Sequence, residues 1–222
     1  MGNMVQQPAK IFLADKRYRY ESNEYRCLST PIERVEIQEN VSRISDETLA
    51  PGKSKLFTIE KNTSVILMPL VGEVLYGTLD KKQTVKVAPE ELQVVSLKKG
   101  TTFKIQNPSK KYSVNYIQIW LKDALEDKKV SYSDYGQNAL NTIFESQNLK
   151  LHFGVLDGRV EAELVPAQTK NTLVAFVING AFELQNRLLE TRDSLMLWNL
   201  EHLELEALSE NAIVLLLENY NS

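Results

Sequence analysis

The sequence has few of the residues that bind transition metals or form disulfides. Among its 222 residues there are only two histidines, His152 and His202, and one cysteine, Cys27. A single cysteine cannot form an intramolecular disulfide, and a zinc site built on thiolates needs two to four of them. Because both histidines follow residue 150, no imidazole is available in the first two thirds of the chain. This scarcity excludes a histidine-rich metal site there.

Long apolar runs and an excess of positive charge are also missing. The longest strongly apolar run, residues 65–71, is far shorter than the ~20 residues of a membrane-spanning helix. Residues 1–10 lack the apolar segment of a signal peptide. The formal net charge of −3 disfavours binding to phosphate backbones. We therefore expect a cytoplasmic protein that binds neither membranes nor nucleic acids and is a monomer or weak homodimer.

Most of the sequence is typical of β-strands. Short segments rich in β-branched and aromatic residues alternate with turns of Gly, Pro, Asn, Asp or charged residues. The predicted strands of the first half are 55–59, 64–70, 73–76, 84–87, 92–97, 102–106 and 115–121. Those of the second half are 149–156, 159–165, 172–178, 181–185, 195–200, 203–208 and 212–217. Such close spacing, with little helix between the strands, predicts an all-β sandwich or barrel.

Residues 123–146 interrupt the strand pattern. The first part of this segment is polar, and Leu140, Ile143 and Phe144 have a weak helical spacing. We therefore predict a short helical connection at 123–146, which joins an N-terminal domain of residues 1–122 to a C-terminal domain of residues 147–222.

Two dipeptides in the second half predict hairpins. Asp157-Gly158 and Asn179-Gly180 each separate two predicted strands, and both are typical of the type I′ turn that closes a β-hairpin. On this basis the segments on either side of each turn should pair.

The two halves of the chain are also similar to each other. Residues 64–72 are similar to residues 173–180, and residues 92–97 are similar to residues 195–200. A charged turn precedes each member of the second pair. The similarity favours a duplicated domain. A chance likeness of two β-domains is the alternative.

Three groups of residues carry a resemblance to a known family. They are Gln93 with Gly100, the turn Asn107-Pro108-Ser109, and the strand motif Gln118-Ile119-Trp120. They resemble the pirin-like bicupins, which include enzymes of the quercetin 2,3-dioxygenase type. Residues 195–198 are similar to an apolar, Trp-containing strand in the second half of that family. The resemblance covers roughly residues 50–219 and implies two tandem cupin barrels (double-stranded β-helix, or jelly roll) that stack face to face.

The same resemblance implies that a metal site has been lost. In the family, one metal ion lies inside the N-terminal barrel, held by a His-X-His pair and a later His-X-Glu pair. Alignment on the neighbouring turns places these positions at Thr58, Glu60, Phe103 and Ile105. Residues two apart on a strand face the same side, so we expect all four to point into the barrel. Phe103 and Ile105 would fill the space of the metal, and no metal or other cofactor is expected.

Three functions are open at this point. The first is a metal-free bicupin without dioxygenase activity that binds a small molecule or a protein partner, with Thr58, Glu60, Phe103 and Ile105 as the candidate pocket residues. The second is an enzyme that uses Glu60 as an acid or base in the first cavity. The third is a regulatory interaction protein. No catalytic residue and no metal ligand is assigned.

The remaining candidates have simpler interpretations. We expect His202 on a solvated strand face and His152 to be a half-exposed imidazole, because neither has a converging set of ligands in the sequence. Cys27 has no neighbouring base, so an unreactive thiol is expected. Trp120 and Trp198 are predicted to be core residues, and the wall of a ligand cavity is the alternative for each.

Overall fold

The structure is a computed structural model that describes residues 7–32, 40–81 and 83–220. In these ranges it contains 21 β-strands and one short 3-10 helix, Ala14–Lys16. No helix in the described ranges has the length and apolar character needed to cross a membrane. The chain divides into two compact units. The N-terminal domain consists of residues 17–133, and the C-terminal domain consists of the described parts of residues 1–16 and 134–222.

The strands are numbered in chain order. The first twelve are β1 (Ala9–Phe12), β2 (Tyr18–Glu21), β3 (Tyr25–Pro31), β4 (Val41–Leu49), β5 (Ser54–Thr58), β6 (Thr63–Val71), β7 (Val74–Thr78), β8 (Val85–Val87), β9 (Glu91–Leu97), β10 (Thr102–Gln106), β11 (Val114–Leu121) and β12 (Lys128–Ser131). The others are β13 (Leu140–Glu145), β14 (Leu149–Leu156), β15 (Glu161–Leu164), β16 (Thr172–Asn179), β17 (Phe182–Leu184), β18 (Arg187–Leu189), β19 (Ser194–Leu197), β20 (Leu203–Ala207) and β21 (Ala212–Asn219).

Two antiparallel sheets form the N-terminal domain. A seven-stranded sheet has the order β12-β9-β6-β11-β4-β3-β2, and a four-stranded sheet has the order β5-β10-β7-β8. Apolar side chains from both sheets, among them Leu67, Phe103 and Tyr116, form one buried core. Along β10 the buried Phe103 and Ile105 alternate with more exposed neighbours, as expected for a strand with one face on a core.

The C-terminal domain repeats this arrangement. Its six-stranded sheet has the order β1-β19-β16-β21-β14-β13, and its four-stranded sheet has the order β15-β20-β17-β18. The series β9-β6-β11-β4 of the first domain corresponds to β19-β16-β21-β14 of the second. The two pairs of similar segments found in the sequence lie on corresponding strands, β6 with β16 and β9 with β19. The predicted all-β fold of two tandem cupin barrels is confirmed.

The two predicted hairpins are wrong. Strand β14 pairs with β13 and β21, whereas β15 pairs with β20. In the same way β16 pairs with β19 and β21, whereas β17 pairs with β18 and β20. Each turn therefore carries the chain from one sheet to the other. Gly180 has φ +78°, and Gly72 at the corresponding place in the first domain has φ +73°, so the turn residues indicate a reversal without specifying its strand pairing.

The structure also changes the expected domain boundaries. Strand β1 pairs with β19 of the C-terminal domain, and β12 pairs with β9 of the N-terminal domain. The predicted helical connection instead contains two strands, β12 and β13. The register of β13 shifts between Thr142 and Phe144, where Ile143 and Phe144 are both buried. This bulge breaks the alternation of a regular strand and produces the spacing that was interpreted as helical.

Candidate functional site

The interior of the N-terminal barrel is aromatic at the predicted metal position. Strand β10 places Phe103 and Ile105 in the core, where they are 1% and 0% exposed. The residues opposite them on β5 are Phe57 and Lys55. The rings of Phe57 and Phe103 are stacked, with centroids 5.0 Å apart. Tyr76 lies 5.8 Å from the same Phe103 ring, so aromatic side chains surround it from two strands.

The prediction that Thr58 and Glu60 point into the barrel is wrong. Both side chains are exposed, and the Thr58 hydroxyl lies 3.0 Å from the hydroxyl of Thr102 on the neighbouring strand. Phe57 contacts the core instead, and Ile59 is buried. A shift of one residue exchanges the two faces of a strand. The sequence contains no residue near Thr58 that fixes which residues of this strand face the core.

These inward-facing residues do not fit a transition-metal site. Phe57, Ile59, Phe103 and Ile105 offer rings and alkyl groups, whereas transition metals require several imidazole, thiolate or carboxylate donors. Within residues 7–32, 40–81 and 83–220, no group of three or more His, Cys, Asp or Glu side chains is placed to hold a metal ion.

A groove of about 780 Å³ lies where β5 ends and β6 begins. Its lining residues are Pro31, Ser42, Arg43, Leu56, Phe57, Thr58, Glu60, Lys61, Asn62, Thr63, Trp120 and Lys122. The four candidate pocket residues are therefore divided. Thr58 and Glu60 line this groove, whereas Phe103 and Ile105 belong to the core behind it.

Arg43 and Trp120 form the inner wall of the groove. They are opposite each other on β4 and β11, and the guanidinium carbon of Arg43 lies 4.2 Å from the centroid of the Trp120 ring. The Arg43 Nε and Trp120 Nε1 atoms are buried, and neither has a hydrogen-bond partner among the described residues. Because buried donors are normally paired, these two groups favour an acceptor that binds between the walls of the groove.

Comparison with known proteins supports the family resemblance. Residues 132–218 match the sequence model of the quercetinase C-terminal cupin domain. YhhW from Escherichia coli has a similar structure, with a TM-score of 0.80 and 15% identity over 97% of this chain and 99% of that chain. The C-terminal domain therefore matches the quercetinase cupin family, and the chain as a whole has the two-barrel fold of YhhW.

Other solved structures have the same fold. A structure of bacterial pirin YhhW from E. coli in complex with nickel(II) superimposes with a TM-score of 0.79 and 15% identity, over 97% of this chain and 100% of that chain. A quercetin 2,3-dioxygenase from Acinetobacter baumannii gives a TM-score of 0.73 and 12% identity, over 95% of this chain and 85% of that chain. At such low identity the likeness shows the fold alone. No curated protein matches this chain in sequence.

A second polar group lies deeper in the N-terminal barrel. Glu47 is fully buried and accepts a hydrogen bond from Gln118 Nε2 at 2.9 Å. The Cys27 sulfur lies 3.9 Å from its other carboxyl oxygen. Burial raises the pKa of Glu47 because the carboxylate loses its hydration. Burial also raises the pKa of the Cys27 thiol, and the nearby Glu47 charge adds to this effect, which disfavours a reactive thiolate.

Glu47 was not predicted from the sequence. Its strand, Val41–Leu49, contains charged residues on both faces, with Arg43 and Glu47 on one and Asp46 on the other. Such a segment does not have the alternation of apolar and polar residues that predicts a strand. A buried carboxyl group in a sheet is rare because its burial requires partners, and the sequence does not show those partners.

The Asn-Pro-Ser turn that carries the family resemblance has a structural role. Asn107 is fully buried, and its Nδ2 lies 3.1 Å from the Leu49 and Ala50 carbonyl oxygens and 2.9 Å from that of Tyr112. Its Oδ1 accepts a hydrogen bond from the Ser109 N–H at 2.9 Å. One side chain therefore joins the ends of β4, β10 and β11. The motif marks the family through the fold and not through a reacting group.

The two histidines lie in the C-terminal domain. His152 is 4% exposed, so the prediction of a half-exposed ring is wrong. Its Nδ1 lies 3.1 Å from the Thr142 hydroxyl, and its Nε2 lies 3.9 Å from the Glu218 carboxyl. His202 is partly exposed, and its Nε2 lies 3.2 Å from Glu163 on the neighbouring strand. The pairing of β13 and β14 brings Thr142 to His152, and a sequence-based prediction without this pairing could not place them together.

Hydrogen bonds hold Glu218 in the ionised form. Its Oε1 accepts from the Asn171 side chain at 2.7 Å and from the Ala167 N–H at 2.6 Å. Burial alone would raise the pKa of Glu218, but the nearby His152 ring and hydrogen bonds from Asn171 and the Ala167 N–H lower it below its ordinary value. Glu47 and Glu218 are thus both buried, and their pKa values shift in opposite directions.

Proposed function

We propose that this pirin-like protein binds a small molecule in the groove beside Arg43 and Trp120, without a metal ion and without dioxygenase activity. One observation carries the proposal. Two buried donors, Arg43 Nε and Trp120 Nε1, have no partner among the described residues and lie in the wall of an open groove. Unpaired polar groups beside a concave site with aromatic walls are typical of ligand pockets.

The chemistry of the barrel interior supports the metal-independent part of the proposal. A dioxygenase of the cupin type needs a metal with an open coordination position next to the substrate. In this chain the interior beside the predicted metal position contains the stacked rings of Phe57 and Phe103 and no converging donors among the described residues. The neighbouring groove is the concave surface that a ligand can enter.

The ligand test uses native mass spectrometry of the full-length protein. After incubation with a low-molecular-weight extract of the source cells, we expect a retained compound. Thr58→Trp places an indole in the groove and should abolish retention. Leu188→Trp adds the same bulk at a side chain that is 69% exposed in the other domain and serves as the matched control. Retention of no compound by the wild-type chain, or equal retention by both variants, would contradict the proposal.

The metal test uses elemental analysis of untagged protein. We expect iron, nickel, copper and zinc to be far below one equivalent per chain, because the barrel lacks a converging set of donors. After incubation with added nickel or iron and desalting, the protein should still not oxidise quercetin in air. Stoichiometric metal that survives desalting would remove the metal-independent part of the proposal and leave the ligand groove untouched.

A further inference from the structure

The groove has a cationic character. Among its lining residues Arg43, Lys61 and Lys122 are basic, and Glu60 is the one acidic side chain. Arg43 and Glu47 are four residues apart on β4, so their side chains lie on the same face of the strand. Burial raises the pKa of the Glu47 carboxyl, whereas the positive charge of Arg43 lowers it.

The two unpartnered donors specify the polar end of the occupant. Arg43 Nε and Trp120 Nε1 can donate hydrogen bonds and cannot accept them. A group that satisfies both must carry acceptor oxygens, and beside a guanidinium an anionic acceptor binds more strongly than a neutral one. A carboxylate meets these requirements.

The aromatic residues of the groove indicate the apolar part of the ligand. Phe57 and Trp120 both line the groove, and their ring centroids are 6.2 Å apart. The ring planes are tilted by 58° and contact each other, so together they form an aromatic wall that favours a flat, unsaturated ligand. A short aliphatic acid would leave these faces exposed to water.

Resting on the proposed function, we infer that the groove binds an aromatic carboxylate, whose carboxylate accepts from Arg43 and Trp120 while its ring lies against Phe57 and Trp120. In this arrangement Arg43, which lies over the Trp120 ring, supplies both a positive charge and the unpartnered Nε donor. Glu60 at the rim weakens the binding of an anion and limits its affinity.

The experiment uses three probes, titrated into the full-length protein by isothermal titration calorimetry. They are 2-naphthoate, its neutral isostere 2-naphthamide, and acetate, which has the charge without the ring. We expect 2-naphthoate to bind at least about tenfold more tightly than either of the other two, as for a hydrogen bond to a charged group. In NMR spectra, the indole N–H resonance of Trp120, assigned with Trp198→Phe, should shift with 2-naphthoate, whereas that of Trp198 should not.

Variants test the role of each charge. Arg43→Gln should weaken 2-naphthoate binding about tenfold or more. Arg26→Gln, an exposed arginine outside the groove, is the matched control and should leave it unchanged. Glu60→Gln removes a negative charge at an exposed position and should strengthen 2-naphthoate binding about two- to threefold. This variant tests the inference if Arg43→Gln does not fold.

Each contrary result has a distinct meaning. If 2-naphthamide or acetate binds as tightly as 2-naphthoate, or if 2-naphthoate does not bind, the inferred ligand class is wrong. Unchanged affinity in Arg43→Gln, or weaker affinity in Glu60→Gln, also overturns it. Binding of the neutral probe with a shift of the Trp120 resonance leaves the groove as a ligand site, so the proposed function stands. If no probe shifts that resonance and the cell extract yields no ligand, both fail.

Discussion

Phe57 and Phe103 face each other across β5 and β10, with ring centroids 5.0 Å apart and ring planes inclined by 17°. The pair belongs to the buried interior of the N-terminal barrel. Its rings contact Trp120, with centroids 6.2 Å and 6.0 Å away, and Trp120 in turn lines the groove. This aromatic core therefore also supports one wall of the proposed ligand site.

The first prediction concerns the core. Phe103→Ala should lower the free energy of unfolding by about 3–5 kcal/mol, because a fully buried ring is removed and the rigid sheets cannot close the cavity. Urea denaturation measures the change. Leu188→Ala, at an exposed apolar residue, should change the value by less than about 0.5 kcal/mol. A loss of less than about 1 kcal/mol for Phe103→Ala would show that the ring is not part of a tightly packed core.

The second prediction concerns the Asn-Pro-Ser turn. Asn107→Asp keeps the size of the side chain but places a carboxylate oxygen against the three carbonyl oxygens that now accept from Nδ2. We expect a loss of about 2–4 kcal/mol of unfolding free energy, since buried acceptors lose their donor. Asn62→Asp is the control, because Asn62 accepts from the Lys99 N–H and an aspartate preserves this contact. Equal thermal unfolding temperatures for both variants would refute the structural role of Asn107.

The third prediction concerns stability in acid through Glu218. Its pKa is lowered in the folded protein, so the ionised form stabilises the C-terminal domain above the ordinary value of 4.5. This contribution should disappear as the pH falls from 4.5 through the folded-state pKa. Urea denaturation at a series of pH values, followed by Trp198 fluorescence in a Trp120→Phe background, measures it. Glu218→Gln should flatten the decline, whereas exposed Glu201→Gln should not.

The fourth prediction concerns Glu47, whose contribution to stability should change with pH in the opposite direction to that of Glu218. The pKa of Glu47 is raised in the folded protein, so folding favours uptake of a proton. As the pH falls from neutral through the folded-state pKa towards the ordinary value of 4.5, Glu47 should add to the stability of the N-terminal domain. Glu47→Gln should remove this gain, read by Trp120 fluorescence in Trp198→Phe. A wild-type domain whose stability from Glu47 decreases over this range would contradict the raised pKa.

The sequence predicts much of the fold because most strands alternate regularly. The limits of β10 and β14 agree with the predicted strands 102–106 and 149–156. The inward position of Phe103 and Ile105 follows from the same alternation. In contrast, Asp157-Gly158 and Asn179-Gly180 have turn residues whose local conformation does not depend on the partner strand. The sequence therefore predicted the turns correctly and the pairing incorrectly.

The candidate site was predicted only in part, and the reason is physical. Thr58 and Glu60 lie near the groove, but a one-residue error in register exchanges inward and outward side chains. Arg43 was not foreseen at all, since its role depends on the pairing of β4 with β11, which brings it over Trp120. Contacts between distant strands are set by tertiary structure, so the spacing of residues along the sequence does not predict them.

Strand β1 has a consequence for how the chain is made. Residues 9–12 are synthesised long before their pairing partners on β19, residues 194–197. Strand β1 therefore cannot complete its sheet until most of the C-terminal domain has been synthesised. A fragment that begins at residue 134 would lack this strand and leave the edge of β19 open to pairing with another molecule. Expression of the second half alone should therefore yield an aggregation-prone product, although its sequence contains most of a cupin barrel.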